Sequence, residues 1–172
     1  MPDFKSIEYL KTGNKKQKLA FRDTMDLDIF NPMKSFNPVL TGTIPVDIDL
    51  PNSDLDIVCE CSDHHHLVNI LKKEYGDKKG FTTSSRLKDG LKCTRISSLG
   101  AYFEIEILVQ DKPVEQQNAY RHMLVEYKIL EEKGEQFKTV IRKPKKSGMK
   151  TEPAFAELLG IKGDPYMMLL KM

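Results

Sequence analysis

Two short segments of this chain alternate acidic and apolar residues, and that pattern requires an extended backbone with one buried face. The first segment is Asp54-Leu55-Asp56-Ile57, and the second is Glu104-Ile105-Glu106-Ile107. In a β-strand, residues i and i+2 point to the same face, so each segment places two carboxylates side by side. If the two strands are neighbours, all of these carboxylates meet on one face of the sheet. Their repulsion would be severe unless a divalent cation lay between them.

A metal held by such a set would bind oxygen ligands only, which suits Mg²⁺ or Mn²⁺. Two such ions about 4 Å apart are used in in-line phosphoryl and nucleotidyl transfer. One carboxylate of the set could also take a proton from an attacking hydroxyl. We therefore expect Asp54, Asp56, Glu106 and Glu104 to be metal ligands. Periodicity alone does not separate Glu104 from Glu106 as the third essential acid.

The rest of the chain predicts a mixed α/β fold of the α+β class, in which a short mixed sheet is flanked by helices. Hydrophobic periodicity and capping residues predict a helix over residues 14–30, a second helix after Ser62-Asp63 and a long amphipathic helix over residues 114–133. Asp89-Gly90 predicts the turn of a β-hairpin. We expect a main domain over residues 1–141. Residues 142–172 would then form a basic linker, 142–150, and a small C-terminal part of two short helices that packs on the same domain.

Composition excludes several classes of protein. The chain has 172 residues, enough for one compact domain, and a formal net charge of +2, too small to indicate a nucleic-acid or membrane partner. We find no apolar run of membrane-spanning length and no apolar signal-peptide block at the N-terminus. The three cysteines follow no zinc spacing, so we interpret them as reduced thiols in a cytoplasmic protein.

Together, the motifs resemble those of the nucleotidyltransferase superfamily of DNA polymerase beta, CCA-adding enzymes and aminoglycoside nucleotidyltransferases. That pattern is a glycine and a small hydroxyl residue, about ten further residues, then Asp-hydrophobic-Asp, with a third acid on a later strand. Here it reads Gly42, Thr43 and then Ser53-Asp54-Leu55-Asp56. More narrowly, the chain resembles a small bacterial family of unknown function through "LTGTIP", "SDLDIVCE", "FEIEILVQ", "PVEQQNAYRHM" and "KTEPAFAELLG". The narrower resemblance favours Glu106 over Glu104.

The resemblance implies a Mg²⁺-dependent enzyme that moves a nucleoside monophosphate from an NTP to a hydroxyl of a small molecule, an RNA or a protein. The NTP and that acceptor are then its partners. The implied catalytic residues are Asp54, Asp56 and Glu106, and the implied nucleotide-binding residues are Gly42, Thr43 and Ser53. Asp47 follows Thr43 too closely for the motif, so we expect Asp47 and Asp49 to be solvated loop acids.

A catalytically degenerate binding or regulatory module, of the kind found in toxin–antitoxin pairs, is the alternative. Pro45, which follows the Gly-Thr turn, and the lack of a basic groove favour it.

Four further residues are candidates for substrate binding. The connection between the Glu106 strand and the long helix is short, so the polar first half of that helix should begin at the mouth of the cleft. Gln116 and Tyr120 are four residues apart and share a helix face, and His122 follows them. Arg86 would hold phosphates or, alternatively, act as a sheet-edge charge.

Overall fold

The computed structural model describes residues 1–88 and 90–172, so the predicted turn residue Asp89 lies outside the described residues. The protein is built on a five-stranded sheet in the order β1-β2-β5-β4-β3. The strands are β1 (Val39–Thr41), β2 (Leu55–Glu60), β3 (Thr82–Lys88), β4 (Leu91–Leu99) and β5 (Glu104–Gln110). The helices are α1 (Lys15–Asp26), α2 (His64–Tyr75), α3 (Asn118–Lys133), α4 (Glu135–Lys146), α5 (Thr151–Leu159) and α6 (Pro165–Leu169). Short 3-10 turns cover Glu8–Thr12, Lys34–Phe36 and Val114–Gln116.

Helices cover both faces of the sheet, and the alternation of side chains along β2 and β5 explains why. Leu55 and Ile107 point to one face, where they form a core with residues of α1 and α2. Val58 points to the other face and packs with residues of α3, α4, α5 and α6. Each fully buried Leu or Ile stabilises the fold by roughly 1.5–3 kcal/mol. The predicted mixed α/β fold class, with a sheet flanked by helices, is confirmed.

Pairing within the sheet places the two acidic strands next to each other. Strands β2 and β5 are parallel, whereas β1 and β2, β4 and β5, and β3 and β4 are antiparallel. The predicted hairpin corresponds to β3 and β4. Strands β2 and β5 therefore form the centre of the acidic face. Strand β1 flanks β2, and strand β4 flanks β5.

The three cysteines are buried. Cys59, Cys61 and Cys93 are free thiols, and Gln110 Nε2 lies 2.9 Å from Cys93 Sγ. In the described part of the chain, every helix is too short or too polar to cross a membrane.

Helix α1 buries a polar face, which the sequence did not predict. The predicted helix runs to residue 30, but α1 ends at Asp26, and its apolar residue Met25 is 56% exposed. The buried residues of α1 are Gln17, Ala20, Asp23 and Thr24. Gln17 Nε2 donates to the carbonyl oxygens of Ile44 at 3.0 Å and Pro45 at 3.1 Å. The helix is oriented by these hydrogen bonds as well as by apolar packing.

Asp23 connects α1 to the start of β5. Its carboxylate is fully buried and accepts the backbone N–H groups of Ala101 at 2.7 Å, Tyr102 at 3.1 Å and Phe103 at 3.0 Å. A Cβ on Gly100 would lie 2.4 Å from Asp23 Oδ2, so the chain needs glycine there. Asp23 thus holds the loop that leads into β5, the strand that carries Glu104 and Glu106.

The linker prediction is wrong for residues 142–146, because they form the last turns of α4. This helix accommodates Pro144 and fully buries Ile141. Lys145 is also buried, and its Nζ donates to the Ile48 carbonyl oxygen at 2.6 Å. Of the basic side chains that suggested a linker, Arg142 and Lys145 are held by oxygen atoms of the β1–β2 loop, whereas Lys143 and Lys146 are exposed. The predicted domain boundary at residue 141 falls inside this helix.

Asp47 and Asp49 are not solvated loop acids, so that expectation is also wrong. Asp47 Oδ1 lies 2.8 Å from Arg142 of α4, and Asp49 Oδ2 lies 3.1 Å from Lys16 of α1. Arg142 Nε also donates to the Asp49 carbonyl oxygen at 3.2 Å. Asp47 adopts a positive φ of 57°, a conformation that Asp tolerates better than most residues. These contacts hold the β1–β2 loop between two helices.

Arg142→Met should lower the free energy of unfolding by roughly 1–3 kcal/mol, because it leaves the carbonyl oxygens of Asp47 and Asp49 without their side-chain donor. It also removes one of three donors to the Asp47 carboxylate, which keeps its contacts with Asn14 and Lys138. Lys143→Met is the matched control, since Lys143 is exposed on the same helix, and it should change stability by less than about 0.5 kcal/mol. Urea unfolding of both variants measures the difference. Equal effects would show that Arg142 does not hold the loop.

Candidate active site

The two acidic strands place Asp56 directly opposite Glu106. Their Cα atoms are register partners in the parallel β2–β5 pair. Asp54 and Glu104 lie one residue before the first paired residues of these strands, Leu55 and Ile105. Glu104 is exposed at the strand end, whereas Glu106 is half-buried beside Asp56. The structure therefore favours Glu106 over Glu104 as the acid that faces Asp56.

Asp56 and Glu106 form the floor of a cavity of about 220 Å³ between the sheet and helices α3 and α5. Gly42 and Thr43, which follow β1, form one side of it. The helices contribute His122, Glu126, Thr151 and Glu152. A larger cavity of about 630 Å³, between the N-terminal segment and β1, includes none of the predicted site residues.

The negative charges at this floor are poorly compensated. Burial, followed by the charges of Asp54 and Glu106, raises the pKa of Asp56 to about 8, against a smaller opposing effect of Lys150. Burial also raises the pKa of Glu106; the Arg95 guanidinium opposes this shift, and Asp54 adds to it. A raised pKa means that the carboxyl holds its proton more strongly than usual. Here it indicates that the site has too little positive charge for its carboxylates.

Gly42 allows Asp56 to approach the backbone of the turn after β1. Its φ is +80°, and a Cβ there would lie 2.3 Å from Asp56 Oδ2. Both the positive φ and the close approach exclude a side chain at this position. The glycine of the sequence motif is thus explained by contact with Asp56, one of the predicted metal ligands.

Gly42→Ala should destabilise the fold by about 2 kcal/mol or more and displace the Asp56 carboxylate, because left-handed strain and a steric clash act together. Gly160→Ala is the control: its φ is +66°, and nothing lies within 4 Å of a Cβ built there, so only the strain of about 1 kcal/mol applies. Thermal unfolding compares the two variants. A Gly42 variant no less stable than the Gly160 variant would contradict the close contact.

Thr43 and Ser53 have different places in the structure. Thr43 lines the cavity, and its Oγ1 lies 3.4 Å from Ser53 Oγ. Ser53 Oγ accepts the backbone N–H of Leu50 at 2.9 Å and is not among the residues that line the cavity. Ser53 therefore supports the β1–β2 loop and the Thr43 side chain, and of the two hydroxyls that of Thr43 is placed to meet a ligand.

Gln116 and Tyr120, which we predicted to bind substrate, are not among the residues that line this cavity. Gln116 is exposed in the 3-10 turn before α3. Tyr120 is buried in the core beside the N-terminal segment, where burial raises its pKa. The chain turns once as a 3-10 helix before α3 begins at Asn118, and within α3 the cavity is lined by His122 and Glu126, with Ala119 and Met123.

Two arginines flank Glu106 on the side away from Asp56. Arg86 and Arg95 line an adjoining cavity of about 230 Å³ that shares Glu106 and Leu108 with the first cavity. Arg95 Nη1 lies 3.1 Å from Glu106 Oε2, and the charge of Arg86 also lowers the pKa of Glu106. Arg86 is therefore next to the site, as a phosphate-binding role requires, and Arg95 is as well placed.

Glu126 and Glu152 are cavity residues that the sequence did not reveal as functional. Glu152 lies in the first turn of α5, and its Oε1 is 3.3 Å from His122 Nδ1. Glu126 is buried on the face of α3 that also carries Met123, Ile129 and Leu130. A single acidic residue on the apolar stripe of an amphipathic helix is the signal that would have identified it.

The residues of the floor fit a divalent cation by the chemistry of their donors. Asp56 and Glu106 offer oxygen ligands there, and Asp54, which does not line the cavity itself, precedes β2 by one residue and offers a third. The raised pKa of Asp56 reflects the charge that such an ion would neutralise. Among residues 1–88 and 90–172, no three His, Cys, Asp or Glu side chains are yet grouped as a complete metal-binding set. Glu106 is instead turned towards Arg95.

Comparisons with solved structures show what this fold is similar to. The polymerase core of TRAMP, an RNA surveillance complex, aligns at 10% identity and a TM-score of 0.53, covering 91% of this chain and 49% of that chain. A mutant of the Cid1 poly(U) polymerase bound to MgATP aligns at 18% identity and a TM-score of 0.53, covering 90% and 47%. A second Cid1 structure, described for its RNA terminal uridylyl transferase activity, aligns at 18% identity and 0.51, covering 74% and 39%.

At these identities the likeness shows the fold alone, and the chain spans less than half the length of each of these three structures. No curated protein matches the sequence. The family model described as "Domain of unknown function (DUF4269)" matches residues 23–172. The fold is that of nucleotidyltransferases, as the sequence motifs predicted, and the chain belongs to the DUF4269 family.

Proposed function

We propose that the protein transfers a nucleoside monophosphate from an NTP to a hydroxyl acceptor, with Mg²⁺ or Mn²⁺ as the metal. The observation that carries this proposal is the register of Asp56 opposite Glu106, with the Gly42 turn against the Asp56 carboxylate. The solved structures that share the fold are described as a poly(U) polymerase bound to MgATP, an RNA terminal uridylyl transferase and the polymerase core of an RNA surveillance complex. Carboxylates placed beside a glycine turn suit a reaction of that class here.

Asp54, Asp56 and Glu106 would hold the metal, and exposed Glu104 would be a ligand at the rim. When bound, the metal would neutralise charge on the triphosphate and on the departing pyrophosphate. The backbone of Gly42 and the Thr43 hydroxyl would contact phosphate oxygens. Arg86 and Arg95 would add positive charge beside Glu106.

The reaction would join the acceptor oxygen to the α-phosphorus and break the bond from that phosphorus to the bridging oxygen, releasing pyrophosphate. The acceptor hydroxyl loses its proton in this step. One of the floor carboxylates would accept it.

A screen of the four NTPs for pyrophosphate release, with cell extract as the source of acceptor, tests this proposal. We expect one NTP to give release that requires Mg²⁺ or Mn²⁺ and is lost on addition of EDTA. If the wild-type protein and Asp54→Asn release pyrophosphate equally, the activity comes from a contaminant and the proposal is contradicted.

The second candidate is a binding or regulatory module that has lost catalysis, of the kind found in toxin–antitoxin pairs. The Arg95–Glu106 ion pair at 3.1 Å favours it, because this contact occupies a carboxylate that a metal would need. Arg95→Gln distinguishes the two candidates. If Arg95→Gln binds Mn²⁺ more tightly than the wild type does, the result supports an active site from which the arginine must be displaced. If neither protein binds Mn²⁺, the result supports the binding or regulatory module.

A further inference from the structure

Strand β4 carries a buried hydroxyl without a partner, next to the floor of the site. Ser97 is 4% exposed, and within the described residues its Oγ makes no hydrogen bond. The Cα of Ser97 is the register partner of Glu106 in the antiparallel β4–β5 pair, and Glu106 is in turn the register partner of Asp56. Residues directly opposite each other in a sheet share a face, with their Cβ atoms about 4.5–5.5 Å apart. The Ser97 hydroxyl is therefore on the acidic face, on the β4 side of Glu106.

A hydroxyl in this state is unfavourable, because it has lost its hydrogen bonds to water and has gained none from the protein. The neighbouring Glu106 carboxylate is within reach of a short movement, but its Oε2 faces Arg95 Nη1 at 3.1 Å instead. The resting structure thus leaves a donor on β4 unused beside a carboxylate that can accept it.

Glu106 would need such a donor if it bound a metal. A carboxylate that holds a metal is itself held by hydrogen bonds to its remaining lone pairs. Along the same face of β5, the residues on either side of Glu106 are Leu108 and Glu104, and neither an alkyl group nor an ionised carboxylate can donate a hydrogen bond. When Glu106 leaves Arg95 for an ion, Ser97 is the residue directly opposite it on β4 that can donate one.

We propose that Ser97 is a positioning residue for the metal site, whose hydroxyl donates a hydrogen bond to Glu106 when this carboxylate turns from Arg95 towards the ion. Glu106 then has two positions. In the first it faces Arg95, and in the second it faces the ion and accepts from Ser97. The inference rests on the proposed function, because the second position belongs to the metal-bound state of that site.

Ser98, the next residue along the strand, provides a matched control. Its Oγ is also buried and makes no hydrogen bond to any described residue. Its Cα, however, is the register partner of Ile105, whose side chain belongs to the core on the opposite face of the sheet. Replacing either serine by alanine deletes a buried hydroxyl from the same strand, but only the change at Ser97 removes it from the acidic face.

Titration of the full chain with Mn²⁺, followed by the electron paramagnetic resonance signal of the free ion, tests the inference. We expect Ser97→Ala to bind Mn²⁺ roughly tenfold more weakly than the wild type, as is typical when a group that holds a metal ligand is lost. Ser97→Thr keeps the hydroxyl and should restore most of the affinity, and Ser98→Ala should bind as the wild type does. Equal affinity of Ser97→Ala and wild type, or an equal loss in Ser98→Ala, would overturn the inference.

Thermal unfolding separates this role from a purely structural one. Neither hydroxyl has a partner in the metal-free protein, so both alanine variants should then unfold at the wild-type temperature or above it. Added Mn²⁺ should raise the unfolding temperature of Ser98→Ala as much as that of the wild type, and that of Ser97→Ala less. If Ser97→Ala unfolds at a lower temperature without metal, the hydroxyl already has a partner in the resting protein and the inference is wrong.

Arg95→Gln shows whether Ser97 acts through the arginine. The proposed hydrogen bond forms after Glu106 has left Arg95, so Ser97→Ala should weaken Mn²⁺ binding by the same factor in the Arg95→Gln background. A loss that disappears in that background would mean that Ser97 acts on Arg95, and it would overturn the inference.

Binding of a non-hydrolysable NTP with Mn²⁺, measured on the same samples, distinguishes the two claims. If the wild type binds both and Ser97→Ala binds both equally well, the inference is wrong and the proposed function stands. If the wild type binds neither, the proposed function fails, and the role of Ser97 fails with it.

Discussion

Asp56→Asn should abolish metal-dependent NTP binding and, at the same time, make the protein more stable. Asn keeps the size of Asp but removes the charge that a metal needs. In the metal-free protein, that charge is unfavourable because Asp56 is buried beside Asp54 and opposite Glu106. A loss of function with a gain of stability is the expected signature of a residue selected for a site.

The stability gain should depend on pH. The pKa of Asp56 is raised to about 8 from an ordinary value of 3.8, so the folded state holds the proton more tightly than the unfolded state between these values. Wild-type stability therefore falls as the pH rises from about 4 to about 8. Asn resembles the protonated acid, so the variant should match the wild type near pH 4. It should exceed the wild type by roughly 2–4 kcal/mol at pH 8.

Urea unfolding at pH 4 and at pH 8, with Asp77→Asn as an exposed control, measures this difference. The control should shift by less than about 0.5 kcal/mol at both values. An Asp56 variant that is less stable than the wild type at pH 8 would show that the carboxylate has a stabilising partner. A variant that still binds NTP with Mn²⁺ would remove Asp56 from the metal site.

Asp23→Ala should lower the free energy of unfolding by roughly 3–5 kcal/mol, the largest loss we expect from any single change. The carboxylate accepts three backbone N–H groups from residues 101–103 and is fully buried. Removal leaves these donors without a partner, at about 1–3 kcal/mol each when buried. The loop also leads into β5, so the position of Glu106 should suffer with it.

Asp26→Ala is the control for that change, because Asp26 is exposed one turn later on the same helix. Thermal unfolding should show a large decrease for Asp23→Ala and almost none for Asp26→Ala. Hydrogen exchange should further show faster exchange of the amides of residues 101–103 in the Asp23 variant. If these amides keep their protection, the carboxylate is not what holds the loop.

The sheet and its acidic face could be predicted from the sequence because their signal is local. A period of two along residues 54–57 and 104–107 specifies which side chains share a face, and the two strands are indeed neighbours. The spacing from Gly42 to Asp54 identified the turn that contacts Asp56. Both features depend on short stretches whose conformation follows from their own residues.

The helices were predicted less well because their orientation depends on distant contacts. Helix α1 buries Asp23, whose partners lie about eighty residues further along the chain. The last turns of α4 were interpreted as part of a linker because Pro144 and the neighbouring lysines are poor helix signals in isolation. At the start of α3, Glu126 joins the predicted His122 at the cavity in place of Gln116 and Tyr120. Apart from Glu126, an acid on an apolar stripe, these features have no local signature in the sequence.

The most direct test of a metal site at Asp54, Asp56 and Glu106 is a crystal soaked with Mn²⁺ and a non-hydrolysable NTP, measured at a wavelength where manganese scatters anomalously. We predict an anomalous peak in contact with Asp54 and Asp56, with the triphosphate beside Gly42 and Thr43 and with Glu106 turned from Arg95 towards the ion. An NTP bound elsewhere, or a soaked crystal without manganese at these carboxylates, would contradict the proposed nucleotidyl transfer.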